Sequence, residues 1–155
     1  MEKGYLLNLL KYNFSENRKI FQEIIKQKSV SEKALKYFCH LLAAEKIWMK
    51  RLEVKAWAGI EVWPVLSPVE VEMLINENET DFTKYVLELK PEALKSSIPY
   101  KNVKGVEYNN SVEDILMHVV IHSAYHRAQF ATVIREDGLE PVNTDYIAYK
   151  REMND

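Results

Sequence analysis

Apolar side chains recur with the spacing of an α-helix in four long segments of this sequence. The first segment covers residues 3–27, and the second covers residues 32–57 with Ser31 as its N-cap. At about 100° per residue, one stripe of the first segment holds Leu6, Leu10, Asn13, Asn17, Phe21 and Ile24. The matching stripe of the second segment holds Tyr37, His40, Ala44, Ile47, Trp48 and Arg51. We expect both stripes to face the protein interior.

The third and fourth segments carry clear signals for where a helix begins and ends. Ser67 and Pro68 predict the start of a helix that runs to about residue 89, where Pro91 stops it. Its inner stripe holds Val71, Ile75, Asn78, Phe82, Tyr85 and Leu89. Ser111 caps the fourth segment, with Asp114 at the capping-box position, and Gly138 supplies a left-handed stop after Asp137.

Two short elements complete the predicted fold. Residues 96–110 have the pattern of a β-hairpin that turns near Lys104 and Gly105, and a short helix is expected at Thr144–Glu152. The chain of 155 residues has the size of one domain, which we expect to span residues 1–155. The predicted fold class is all-α: an antiparallel four-helix bundle with a short hairpin before the last long helix and a short C-terminal helix.

Composition and charge exclude several functional classes. Apolar residues make up 47% and charged residues 28% of the chain, as in ordinary globular proteins. A formal net charge of −2 does not favour binding to nucleic acid or to an anionic membrane. Cys39 is the single cysteine, so neither an internal disulfide nor a cysteine-based zinc cluster can form. The sequence has no signal-peptide pattern and no run of 18 apolar residues, so we expect a cytoplasmic protein.

The four histidines lie on only two of the predicted helices. His118, His122 and His126 follow one another at intervals of four residues, and His40 lies on the inner stripe of the second helix. Residues four apart are about 40° apart around a helix and roughly 6 Å apart along it, so His122 and His126 can reach one point. His118 and His126 are too far apart to share an ion comfortably. His40 can supply a third nitrogen if the second and fourth helices pack together.

Three imidazoles at one point would make a metal site with a vacant position. Imidazole nitrogen suits zinc and nickel, and three protein ligands leave a fourth position for water or substrate. The absence of a Glu-x-x-His motif argues against a di-iron bundle, and the absence of His-Glu-x-x-His argues against a zinc peptidase. The alternative is a purely structural helical module whose buried histidines are simply hydrogen-bonded.

Several stretches of the sequence resemble the DinB family, and together they cover nearly the whole chain. The helix HVVIHSAYHRAQ at residues 118–129 resembles the signature helix of that family. Weaker similarities are found in Tyr12 and Asn13 with Asn17, in His40 with Trp48, and in the tail TDYIAY at residues 144–149. The resemblance implies a four-helix bundle, often dimeric, with a metal held by His40, His122 and His126.

Five further residues are candidates for the surroundings of this site. The amides of Asn13 and Asn17 would either orient a ligand histidine or bond to neighbouring backbone. The side chain of Gln129 would hold water near the metal or satisfy a buried carbonyl. Tyr37 would border the vacant position or pack in the core, and His118 would be a neighbour rather than a ligand.

Other conspicuous side chains receive structural rather than chemical roles. Arg127 points about 140° from His122 around the helix, which predicts an ion pair on the helix surface. Arg51 would either meet an anionic substrate or extend to solvent at the end of its helix. Tyr125 would border the vacant position or pack in the core. Trp48, Trp57 and Trp63 are expected in the core, and Cys39 is not expected to act as a nucleophile.

The resemblance and the site chemistry leave three functional hypotheses open. Some DinB-like proteins are metal-dependent thiol transferases, which implies a small-molecule substrate and a low-molecular-weight thiol; a metal-dependent hydrolase is a variant. The second hypothesis is a metal-binding stress protein without turnover, and the third is the structural module. No Asp or Glu lies on the histidine stripe of the fourth helix, so the sequence offers no general base and catalytic residues stay unassigned.

Overall fold

The computed structural model describes residues 2–27 and 29–153. This part of the chain is mostly helical, with one small two-stranded sheet. The α-helices are α1 (Lys3–Lys26), α2 (Glu32–Leu52), α3 (Pro68–Glu88), α4 (Val112–Glu136) and α5 (Tyr146–Glu152). A 3-10 helix at Pro91–Lys95 precedes the strands β1 (Ser97–Lys101) and β2 (Glu107–Ser111).

Serine caps start three of the long helices, as the sequence predicts. Ser31 accepts a hydrogen bond from the backbone of Ala34, and Ser67 forms a full capping box with Glu70. Ser111 accepts from the backbone N–H of Asp114, 3.1 Å away, and its hydroxyl donates to the Asp114 carboxylate at 2.6 Å. Because Asp is one methylene shorter than Glu, this carboxylate bonds to the cap hydroxyl instead of the cap backbone.

The end of α2 differs from the prediction, which extended this helix to about residue 57. The helix ends at Leu52, and Val54 adopts a left-handed backbone conformation with φ 54°. The N–H groups of Val54 and Lys55 then bond back to the carbonyls of Arg51 and Lys50. These bonds form a Schellman motif, a helix ending that normally uses glycine. A β-branched residue rarely takes this conformation, so Val54 is not recognisable in the sequence as the end of a helix.

Two apolar clusters show in which direction the long helices run. One cluster joins the end of α2 to the end of α3, with Met49 and Leu52 against Phe82 and Val86. The other joins the start of α2 to the start of α3, so these two helices are parallel. The connection between them, residues 53–67, therefore travels back along the molecule.

The same reasoning orients the other pairs of helices. The first cluster also holds the starts of α1 and α4, and the second holds their C-terminal parts, so α1 and α4 are parallel. An ion pair of 2.8 Å joins Lys33 at the start of α2 to Glu136 at the end of α4, which makes that pair antiparallel. Lys3, the first residue of α1, donates to the carbonyls of Leu87 and Leu89 at the C-terminal end of α3, so α1 and α3 are antiparallel as well.

The predicted hairpin lies immediately before α4. Its strands are antiparallel, with Ser97 opposite Ser111 and Lys101 opposite Glu107. Gly105 takes φ 78° in the turn, which confirms the predicted turn position. The backbone N–H of Val112 bonds to the carbonyl of Ser96, so the hairpin is fastened to the first turn of α4. Among the residues described, none of the helices combines the length and the hydropathy needed to cross a bilayer.

Candidate metal centre

Three histidines from two antiparallel helices converge at one point. One nitrogen from each of His40, His122 and His126 lies within 4.8 Å of the others. The ring centroid of His126 is 4.5 Å from that of His40 and 4.4 Å from that of His122. His40 and His126 are buried, while His122 is half-buried. We call these three residues the candidate metal centre.

The connection 53–67 fixes the ring of His40. Its Nδ1 lies 2.6 Å from the carbonyl oxygen of Val62, so this nitrogen carries the proton and donates it. The other nitrogen, Nε2, is then left with a free lone pair, the form in which an imidazole binds metal. Trp63 stacks on the same ring, with 3.6 Å between the centroids and 11° between the planes. Because Trp63 is 40% exposed, it is a cover over His40 rather than the core residue that we expected.

His122 and His126 direct the same nitrogen toward each other. Their Nε2 atoms are 3.2 Å apart. Two nitrogens held about 2.0–2.1 Å from one tetrahedral zinc ion are roughly 3.4 Å apart, so the observed separation suits a shared ion. The spacing of four residues within α4 produces this approach, as the sequence predicts.

The electrostatics of the centre favour neutral rings. Burial lowers the pKa of His122 to about 3, and the neighbouring histidines add to this effect. Burial also lowers the pKa of His40, against the hydrogen bond to Val62, and that of His126, with His40 contributing. Neutral imidazoles are the metal-binding form, so the donor set fits a divalent cation.

His118 lies beside the centre without joining it. Its ring is exposed, 5.3 Å from the ring of His122, and its edge contacts Trp48 at 4.7 Å. Burial and the charge of Arg51 lower the pKa of His118. The prediction that this residue is a neighbour agrees with its position.

Aromatic rings surround His126. The ring of Tyr37 is stacked with the ring of His126, with 6.4 Å between the centroids. The exposed Tyr125 packs edge-on against the same His126 ring, with 5.1 Å between the centroids. The amide nitrogen of Gln129 contacts the Tyr125 hydroxyl at 3.3 Å. The amide oxygen of Gln129 and Nδ1 of His126 are both buried, and neither has a hydrogen-bond partner among the residues described.

The amides of Asn13 and Asn17 bond to a carboxylate of another helix. Both amides are fully buried, and the hydrogen bonds described for their side chains go to neither a histidine nor the backbone. Asn13 and Asn17 donate to one carboxylate oxygen of Glu45, at 2.7 and 2.9 Å. Ser123 donates to the same oxygen at 2.8 Å, and Asn78 donates to the other oxygen at 3.0 Å. Glu45 thus receives hydrogen bonds from α1, α3 and α4.

Arg127 completes this arrangement and contradicts its predicted surface position. The residue is 1% exposed. One guanidinium nitrogen donates to the side-chain oxygens of Asn13 and Asn17, at 2.8 and 2.9 Å. Each amide therefore bridges Arg127 to Glu45, and the two opposite charges offset each other within the interior. We call the set of Asn13, Asn17, Glu45, Asn78, Ser123 and Arg127 the polar network.

The sequence contains one signal for the network that the helical stripe did not reveal. Glu45 follows the nearly continuous apolar run FCHLLAA at residues 38–44, which predicts that α2 is enclosed on every side rather than along one stripe, and residues 38–45 are all buried in the structure. A carboxylate in such a segment must be buried and paired. Burial raises the pKa of Glu45, and the hydrogen bonds from Asn13, Ser123 and Asn17 oppose that shift.

The remaining candidates have structural contacts. Arg51 does not extend to solvent: its guanidinium lies 4.3 Å from the ring of Trp48 and also faces Trp57 and Tyr100. One of its nitrogens donates to the carbonyl of Lys101 at 3.1 Å. Cys39 is buried, and burial raises the pKa of its thiol, which disfavours a nucleophilic thiolate.

The chain is similar to a known protein family and to a solved structure. A family model described as the DinB family matches residues 1–154. A solved structure, of a DinB-like protein from Bacillus cereus, aligns with a TM-score of 0.64 at 17% sequence identity. The alignment covers 89% of this chain and 94% of that chain, so the two share a fold. No curated protein matches this sequence.

Proposed function

The chain belongs to the DinB family, and we propose that His40, His122 and His126 bind one divalent metal ion. The observation that carries this proposal is the approach of three imidazole nitrogens to within 4.8 Å of one another. The lowered pKa values of all three rings support it, because they keep the lone pairs free at neutral pH.

Zinc or nickel is the proposed ion. Neutral imidazole is a good ligand for both, and three nitrogens leave at least one position vacant. When bound, such an ion lowers the pKa of a thiol or water that occupies the vacant position. The residues of this chain hold the ligands: Val62 fixes the tautomer of His40, and Trp63 covers its ring.

For the reaction, we propose transfer of a low-molecular-weight thiol to a small electrophile. The half-buried position of His122 indicates that the centre is accessible to solvent on the side of this ligand. The exposed rings of Tyr125 and Trp63 lie next to the two buried ligands. A substrate could be positioned there against aromatic surface. Hydrolysis by an activated water is a variant of the same chemistry.

A second candidate is a metal-binding stress protein without turnover. Within residues 2–27 and 29–153, the group of side chains that could hold an ion consists of three histidines, with no carboxylate among them. This observation favours binding over catalysis.

Metal binding is tested by elemental analysis of the purified protein and of single variants. We expect about one zinc or nickel per chain in the wild type, and loss of that metal in His122→Ala. His118→Ala is the matched control, because it removes an imidazole from the same helix outside the centre, and it should keep the metal. A wild type that binds no divalent ion would favour the structural-module hypothesis.

Turnover is tested separately with the metal-loaded protein. The assay conjugates a panel of thiols with a chloro-arene or an epoxide and includes ester hydrolysis as a second reaction. Activity that chelation abolishes supports the enzyme, and metal without activity on any substrate supports the stress protein.

Architecture, assembly and location complete the proposal. We propose that α1 to α4 form a four-helix bundle, supported by contacts that run from α1 to α3, α2, α4 and back to α1. Two of these four neighbouring pairs are antiparallel and two are parallel, which corresponds to a bundle with a long connection. We also propose a cytoplasmic location and a homodimer, and size-exclusion chromatography with light scattering tests the dimer.

A further inference from the structure

The polar network links all four long helices through one carboxylate. Glu45 lies on α2, five residues after His40. Its hydrogen-bond partners come from α1, α3 and α4, and all of them lie within 3.0 Å of a Glu45 oxygen. Every member of the network except Arg127, at 1%, and Glu45, at 1%, has no exposed surface.

The partner on α4 lies inside the metal-binding stretch. Ser123 follows His122 directly and precedes His126 by three residues. Its hydroxyl donates a hydrogen bond to Glu45 at 2.8 Å. This bond joins α4 to α2 close to the ligands of both helices, which are His122 and His126 on α4 and His40 on α2. Arg127, the next residue after His126, fastens the same turn to α1.

Hydrogen bonds of this kind define position more sharply than apolar packing does. Leucine and alanine side chains still bury their surface after a small rotation or shift of a helix, because the hydrophobic effect has no direction. A buried carboxylate that lost a donor would be left incompletely satisfied, at a considerable cost. The network therefore favours the relative placement of α2 and α4 in which Ser123 reaches Glu45.

We propose that Glu45 is a positioning residue for the metal centre: through Ser123 it sets the level and rotation of α4, so that His122 and His126 meet His40. This inference rests on the proposed metal site. It assigns the buried carboxylate a role that the chemistry of the three histidines alone does not require.

The test uses cobalt(II) as the probe, because its visible absorption reports coordination geometry. Ser123→Ala removes the link between α4 and Glu45 with little change in volume. We expect cobalt affinity to fall about tenfold or more and the absorption bands to change shape, at a temperature where the variant is fully folded. Thr132→Ala is the matched control on α4, since the hydrogen bond described for its hydroxyl goes to the carbonyl of Ala128, outside the polar network, and it should leave affinity and spectrum unchanged.

A second variant addresses the carboxylate itself. Glu45→Gln places an amide NH₂ opposite one of the existing donors and removes one of the two buried carboxylates, Glu45 and Glu16, that interact with Arg127. We expect weaker cobalt binding than in Ser123→Ala. If this variant does not fold, Ser123→Ala decides alone, and wild-type affinity with a wild-type spectrum in Ser123→Ala would overturn the proposal.

Failure of the metal site can be told apart from failure of the positioning role. If the wild type binds no cobalt, zinc or nickel, the proposed function fails. Crystal structures of the metal-free wild type and Ser123→Ala then decide the inference. It predicts that the separation of the His40 and His126 rings, 4.5 Å here, increases in the variant, and superimposable rings would refute it.

Discussion

At the scale of the residue, the half-buried ring of His122 is the most strongly perturbed group of the centre. Its pKa is lowered to about 3 by burial and by three neighbouring imidazoles. A histidine in an unfolded chain has a pKa of about 6.5. Between these two values the unfolded chain binds more protons at this residue than the folded protein does, so acid favours unfolding.

We therefore predict that the metal-free protein loses stability as the pH falls below about 6.5. The raised pKa values of Glu16 and Glu45 act in the opposite direction, so the contribution of His122 must be isolated. The measurement is urea unfolding of the chelator-treated wild type and of His122→Asn at pH 7, 6 and 5. The wild type should lose more stability than the variant at each step, and equal losses would contradict the lowered pKa.

How much of the site was predictable depends on how far apart its parts lie in the chain. The approach of His122 to His126 follows from helix geometry alone, so the sequence predicted it. The contact of Asn13 with Glu45 and Arg127 joins three helices, and the direction of each helix was needed to foresee it. The predicted surface position of Arg127 follows from a single buried stripe on α4, whereas this side chain is buried on another face of the helix, against α1.

At the scale of the element, the connection 53–67 is part of the metal centre. It contributes the carbonyl of Val62 and the ring of Trp63 to His40, although it has neither helix nor strand. Helix starts with serine caps were predictable from local sequence. The path of this connection was not, because it depends on the left-handed Val54 and on the parallel course of α2 and α3.

A substitution in this connection should weaken metal binding without touching a ligand. We predict that Trp63→Ala lowers zinc affinity about tenfold, because the ring of His40 loses its stacking partner and gains freedom. Competition with a chromogenic chelator measures the affinity. Trp57→Ala is the control, since Trp57 lies in the same connection and contacts Arg51 instead of a histidine. Equal effects of both variants would mean that the loss is not specific to the stacking.

At the scale of the whole molecule, the candidate metal centre joins residues 86 positions apart, from His40 to His126. An ion that binds the folded protein but not the unfolded chain stabilises the fold by mass action. Metal at a hundred times its dissociation constant should add about 2.7 kcal/mol.

We predict a corresponding rise in melting temperature, of roughly 5–10 °C for a chain of this size. Scanning calorimetry with and without zinc measures it. The variant His40→Ala should show no zinc-dependent shift, and an unchanged wild-type melting temperature after chelation would contradict a metal bound at this site.

The parallel course of α2 and α3 has a consequence for how the chain reaches its native state. Two helices joined by a tight loop can zip together as a hairpin within a short stretch of chain, but these two cannot, since residues 53–67 must first span the length of the molecule. Helix encounters are then left to α1 with α3, α2 with α4 and α1 with α4, and each of these pairs is separated in sequence by at least one other helix. Because such encounters close larger loops, we expect slower folding than in an up-down-up-down bundle of equal length.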